Sequence, residues 1–203
     1  MEIYWCRGPD VTARSEENLK KALTDYFRRI RGGDEPRDIV IRRSPAGKPF
    51  LLEQKDVEFS VTHTEDWWIC AIQDAANGAV GIDAEKRTRR VKRPQALGKR
   101  FFSAKEAEIL NGLREKEAEK AFLQIWVRKE AFLKYTGKGL AGGMASFSVV
   151  SDEGRGEICF RKSMAAEDGD VQFPEAELSA ELYVLLCCRA GIGDKERRIW
   201  ELT

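Results

Sequence analysis

The chain has 203 residues, 42% hydrophobic and 34% charged, the balance of a globular protein long enough to bury one large core or two smaller ones. A formal net charge of +1 excludes a whole-molecule field directed at nucleic acid or a membrane surface. Five cysteines, odd in number and without a CxxC pair, argue against a disulfide framework or thiolate metal site and for a reduced, cytoplasmic protein.

The opening MEIYWCRGPD has neither the basic start nor the apolar core of a signal peptide, and no apolar run approaches the roughly 20 residues that span a bilayer. Residues 15–31, SEENLKKALTDYFRRIR, put Leu19, Leu23, Tyr26, Phe27 and Ile30 on one face of a predicted helix, which Gly32 and Gly33 stop. Strands are predicted at 38–43, 57–62 and 67–73, with the turn-rich SPAGKPF between the first two. DAANGA (74–79) is the best linker candidate, and VGIDAEK begins a new strand behind it. From Lys86 to Arg100 the chain carries eight Lys or Arg and no acid, so this run either attracts phosphates or an acidic partner or is a solvated basic loop. Ser103 with Glu106 forms a capping box that opens a short helix. A long helix from about 116 to 136 ends at Gly137, and strands are predicted at 146–150, 157–162, 180–189 and near 197–202. Each half reads as a helix plus antiparallel strands, an α+β pattern in which the second half loosely repeats the first.

Two segments carry chemistry. Asp83 and Glu85 stand two apart on a predicted strand, so both carboxylates project from one face. Paired hard oxygen donors suit Mg²⁺ on a phosphorylated ligand, although a solvated strand end has the same pattern. In the long helix, Phe122, Ile125, Trp126, Phe132 and Leu133 make an apolar stripe with Lys129 in its middle and Glu130 and Lys134 along its edge. A lysine inside an apolar face must be paired or must reach a ligand. The helix runs into TGKGL, whose glycines leave backbone N–H groups and Lys138 free to approach an anion, but no GxxxxGK[ST] loop is present.

The order GKP (47–49), F-x-V-T-H-T (59–64), GIDAEK (81–86), RFFSAKE (100–106) and W-x-x-K-E-A-x-x-K-x-x-G-K-G-L (126–140) resembles that of the surfactin-type 4′-phosphopantetheinyl transferases. By motif the resemblance covers roughly residues 47–150. It implies a pseudo-dimer of two similar halves, 1–76 and 77–203, with the active site in the cleft between them. It further implies transfer of the phosphopantetheine arm of coenzyme A to a serine of an apo acyl or peptidyl carrier protein, releasing adenosine 3′,5′-bisphosphate.

At matching positions, the resemblance makes Asp83, Glu85 and Glu130 the Mg²⁺ ligands. Glu130 is also the general base and Lys134 the residue that meets the leaving phosphate. Lys48, Thr62, His63 and Lys129 become coenzyme A contacts, Lys129 being structural or phosphate-facing and Trp126 a packing residue. Thr62 stands where the family has serine and keeps the hydroxyl. His63, the chain's only histidine, is then a phosphate contact rather than the base. Lys20 or Arg42 could clamp the 3′-phosphate, but no motif aligns them. The expected protein is a monomer that binds neither nucleic acid nor membrane. Two alternatives use the same carboxylates: a Mg²⁺-dependent nuclease or phosphodiesterase, and a non-catalytic homologue that only binds coenzyme A.

Overall fold

The computed structural model describes residues 1–30, 32, 38–139, 143–151, 159–167, 169–192 and 197–202. The elements run β1 (Glu2–Arg7), α1 (Ser15–Ile30), β2 (Ile41–Arg43), β3 (Pro49–Leu51), β4 (Val57–Thr64), β5 (Trp67–Asp74), β6 (Val80–Lys86), α2 (Pro94–Phe101), α3 (Ala104–Asn111), α4 (Glu115–Thr136), β7 (Ser163–Ala166), β8 (Gly169–Gln172), β9 (Leu182–Arg189) and β10 (Arg198–Glu201). The architecture is mixed α+β, as expected.

One four-stranded sheet has the order β10-β1-β5-β4, with β10 parallel to β1 and the other pairs antiparallel; the second has the order β6-β9-β8-β7. β2 and β3 form a separate hairpin. Three apolar clusters stack these parts into layers. Leu19, Leu23 and Phe27 of α1 pack on Tyr4, Phe59 and Cys70 of the first sheet. Ile3, Ile69 and Ala71 on that sheet's other face meet Ile82, Val184 and Leu186 of the second. Ile125, Ala131 and Leu133 of α4 cover Leu185 and Cys187 beyond. The order through the molecule is therefore helix, sheet, sheet, helix, and β1, β5 and β9 alternate between two cores.

The sequence signals hold where turn chemistry is strong. Ser103 and Glu106 form the capping box of α3, and Gly137 closes α4 in the left-handed conformation at φ 67°. The linker candidate is a tight turn: Ala75–Asn77 is 3₁₀, capped by the Asp74 side chain. Other expectations need correction. The predicted strand at 146–150 is instead a 3₁₀ turn at Met144–Ser146 followed by a single bridge from Val150 to Phe160. That bridge is also what is seen of 157–162, whose first two residues lie outside the described ones, as do Gly33 and Leu140. The hairpin of β7 and β8 escapes notice because SMAA and GDVQ carry little apolar alternation. β1 is covered on both faces and shows no period-two pattern either. The basic run is irregular only to Arg93, beyond which α2 begins with Pro94 in its first turn.

Cys6, Cys70 and Cys159 carry free thiols, and Cys187 and Cys188 lie buried on β9. No helix among the described residues is long and apolar enough to cross a membrane.

Candidate functional site

The site forms where β4, β6 and α4 converge. Val80, Ile82 and Ala84 of β6 point into the sheet–sheet core, which sends the alternate residues Gly81, Asp83 and Glu85 toward α4 and β4. Gly81 is the joint. A Cβ there would lie 1.9 Å from the Ala131 carbonyl oxygen and 2.6 Å from the Tyr135 nitrogen, so only glycine lets β6 approach the α4 backbone this closely.

That approach brings Lys134 onto β6. Its Nζ donates to Asp83 Oδ1 at 2.7 Å and to the Ile82 carbonyl at 3.0 Å. From the first sheet, β4 contributes a row of hydroxyls at every second residue. Ser60 Oγ accepts from the Ile82 amide at 3.1 Å, Thr62 Oγ1 donates to Asp83 Oδ1 at 2.9 Å, and Thr64 Oγ1 donates to Glu85 Oε2 at 3.2 Å. Arg89 Nη1 donates to the other Glu85 oxygen, Oε1. Both carboxylates are therefore buried but paired, as burial requires.

Glu130 lies one turn of α4 before Lys134. Burial pushes its carboxyl up to about 7, the negative charges of Asp83 and Glu85 push the same way, and Lys134 opposes them. Burial also raises Glu85 above the usual carboxylate range, against the pull of Arg89. Among the described residues no group of three or more His, Cys, Asp or Glu has closed into a metal-holding arrangement. The donor types are nonetheless those a hard dication takes. Asp83 and Glu85 add their negative charge to the burial that raises the Glu130 carboxyl, while Lys134 and Arg89 supply the neutralising charge to Asp83 and Glu85.

A cleft of about 450 Å³ opens on Glu130 and Lys134, with Lys48 and Arg43 of the β2–β3 hairpin on its opposite wall. Lys48 reaches across to the Tyr135 carbonyl at 3.4 Å and to Glu58 at 3.6 Å. Gly139, at φ 58°, would bring a Cβ to 3.0 Å from the Ala46 carbonyl, so the glycines after α4 seat this loop against the hairpin turn.

Thus the structure unites Asp83, Glu85, Glu130, Lys134, Lys48 and Thr62. It separates two others, His63 and Lys129. His63 is exposed on the face of β4 opposite the hydroxyl row. Lys129 is fully buried, with its ammonium 2.8 Å from Glu106 and bonded to the Met144 and Phe147 carbonyls, so its partners are protein groups rather than solvent-facing ones. Burial lowers its pKa while Glu106 opposes that shift. Trp126 packs as expected, stacked on Phe122 with ring centroids 5.7 Å apart. Lys20 is ion-paired to Glu16 on α1, and Arg42 is exposed on β2 while its neighbour Arg43 faces the cleft. The sequence reading missed Ser60, Thr64, Arg43 and Arg89. The hydroxyl row was visible as S-x-T-x-T at period two, whereas Arg89 carried no signal beyond its basic run.

A second groove of about 300 Å³ lies beside the carboxylates, floored by Leu97, Phe101, Phe122 and Trp126 and rimmed by Arg89, Arg90 and Lys92.

Comparison with known proteins points to one family. The chain is 34% identical over 122 residues to the 4′-phosphopantetheinyl transferase psf-1 of Bacillus pumilus, covering 59% of this chain and 49% of that protein. It is 36% identical over 114 residues to the 4′-phosphopantetheinyl transferase Sfp of Bacillus subtilis strain 168, covering 55% and 47%. It is 33% identical over 126 residues to the 4′-phosphopantetheinyl transferase HetI of a Nostoc species, covering 61% and 50%. The aligned part is thus about half the length of these relatives. The family model of the 4′-phosphopantetheinyl transferase superfamily matches residues 79–183, the segment that holds β6, α4 and every carboxylate of the site. On that match over more than half its length, and with the carboxylates and lysine of the motif gathered in one place, the chain belongs to the 4′-phosphopantetheinyl transferase superfamily.

Proposed function

We propose that the protein transfers the 4′-phosphopantetheine arm of coenzyme A to a serine hydroxyl of an apo acyl or peptidyl carrier protein, releasing adenosine 3′,5′-bisphosphate. The observation that carries this reading is the meeting of Asp83 and Glu85 on β6 with Glu130 and Lys134 on α4, the latter two lining a cleft that Lys48 and Arg43 also line. In the reaction a bond forms from the serine oxygen to the phosphorus on the pantetheine side. The bond from that phosphorus to the bridging oxygen breaks, and the serine proton leaves.

Glu130 takes that proton. A free glutamate near 4.3 is a poor base for an alcohol. Burial raises the metal-free carboxyl to about 7, but a cation on the same group pulls it back down, so the proton moves late, as the serine–phosphorus bond forms. Lys134 faces the charge that develops on the leaving phosphate. Asp83, Glu85 and Glu130 would hold Mg²⁺, which when bound polarises the phosphoryl group and neutralises the pyrophosphate. Lys48 and Arg43 would bind the nucleotide end of coenzyme A from the far wall. Thr62 orients Asp83, and Lys129 fixes α4 through Glu106. The basic rim and aromatic floor of the second groove suit an acidic carrier.

We further read the fold as a pseudo-dimer with its seam near residues 74–79. The order β1-β5-β4 with α1 has a counterpart in β6-β9-β8 with α4, which supports a division into 1–76 and 77–203. β10 alone crosses back, joining the first sheet from the C-terminal half. Since both halves lie in one chain, a monomer contains the whole cleft.

The test is to incubate the protein with coenzyme A, Mg²⁺ and a panel of apo carrier domains and weigh each carrier. A mass gain of one phosphopantetheine arm is expected, and it should disappear with Glu130→Gln. No gain on any carrier would refute the reading.

A further inference from the structure

Glu85 has two oxygens and both are occupied: Oε2 by the buried Thr64 hydroxyl and Oε1 by the Arg89 guanidinium. Each oxygen keeps a second lone pair, but a cation approaching Oε1 meets the positive charge of the Arg89 guanidinium already seated there. Thr64 is held on β4 with its side chain enclosed, whereas the Arg89 side chain is 52% exposed and sits on an irregular stretch between β6 and α2. The arginine is therefore the partner able to leave. It also has somewhere to go, because it already lines the groove whose rim holds Arg90 and Lys92.

We propose that Arg89 is a displaceable counter-ion that occupies the Glu85 carboxylate in competition with a divalent cation, and that its displacement leaves its charge unpaired on the rim of the neighbouring groove. The proposal rests on the reading of Asp83, Glu85 and Glu130 as metal ligands. An arginine in this place lowers metal affinity, since the ion must either bear the repulsion of the adjacent guanidinium or displace it from its charge-assisted hydrogen bond. By linkage, an acidic partner that draws Arg89 into the groove tightens metal binding to the same degree that the metal tightens that partner.

The experiment measures Mn²⁺, a hard dication with similar ligand preferences, by the electron paramagnetic resonance signal of the free ion, at low and at high salt. Wild type, Arg89→Ala, Arg89→Gln and Arg90→Ala are compared, with circular dichroism to establish that each is folded. Arg90 is the control: it carries the same charge on the same rim but pairs with Glu119 at 3.3 Å. Loss of Arg89 is expected to tighten Mn²⁺ binding about tenfold at low salt, less at high salt, while Arg90→Ala changes it less than about twofold. Binding by the Arg89 variants with none by wild type would be the extreme form of the same result. Unchanged or weaker binding in the Arg89 variants, or an equal effect of Arg90→Ala, overturns the counter-ion role while leaving the transferase reading in place. No Mn²⁺ binding by any variant removes the metal reading itself, and the counter-ion role with it.

Discussion

With its carboxyl raised to about 7 by burial and by Asp83 and Glu85, Glu130 holds a proton in the folded, metal-free protein at pH values where an unfolded glutamate has lost it. The folded state therefore binds more protons between about pH 4.5 and 7, and stability falls as pH rises through that window. In EDTA, Glu130→Gln is expected to raise the melting temperature at pH 8 and to change it much less at pH 5. An equal shift at both values would show that the carboxyl is not strained. The same variant is expected to lose transfer, so that it gains stability as it loses function. That Asp83 pairs with Glu85 on one strand face and Glu130 with Lys134 along one helix edge was legible from strand and helix periods, whereas joining the two pairs came from the resemblance to the family. The environment of Lys129 was not legible. Its position in an apolar stripe demanded a partner, but Glu106 is brought to it only by tertiary packing of α3 on α4.

Between β6 and α4 the decisive contact is backbone against backbone. A methyl group at residue 81 would overlap the Ala131 carbonyl, which is not the yielding end of a side chain but part of a helix turn. Gly81→Ala is expected to cost at least about 3 kcal/mol in urea denaturation, at the upper end of overpacking effects, because strand and helix must separate. The separation would also draw Lys134 away from Asp83, so any folded remainder should be inactive. A cost below about 1 kcal/mol would show that the two elements can part freely. α1, α3 and α4 were legible element by element, since capping boxes and left-handed glycines are local chemistry, whereas α2 was hidden in the basic run. β1, β7 and β8 were not legible either, because their faces lack the alternation that marks a half-buried strand. The pairing of β10 with β1 lay beyond local reading for another reason: it joins residues nearly the whole chain apart.

Across the whole molecule, β10 fastens the C-terminal part of the chain to the first sheet. Trp200 packs against the α1 core, and its indole Nε1 donates to Glu2 Oε2 at 2.7 Å, while Arg198 pairs with the other oxygen of that buried carboxylate. Trp200→Ala is expected to cost about 2 kcal/mol through lost packing and a Glu2 oxygen left without its indole partner. That corresponds to a fall of about 4–8 °C in melting temperature, whereas Ile199→Ala, on the exposed side of the same strand, should change it by less than about 2 °C. Equal effects would mean that β10 is held by its backbone alone.

The hydroxyls of Thr62 and Thr64 belong to one sheet and the carboxylates they hold belong to the other. Residues 79–183, the part that the family model matches, therefore carry one bank of the cleft and none of the opposite one. The recognisable unit is smaller than the working unit. Grafting that segment into another scaffold would move the acidic residues without the neighbours that aim them. What likeness marks in this molecule is where chemistry restricts the choice of residue; where the machine ends is set by which surfaces must touch.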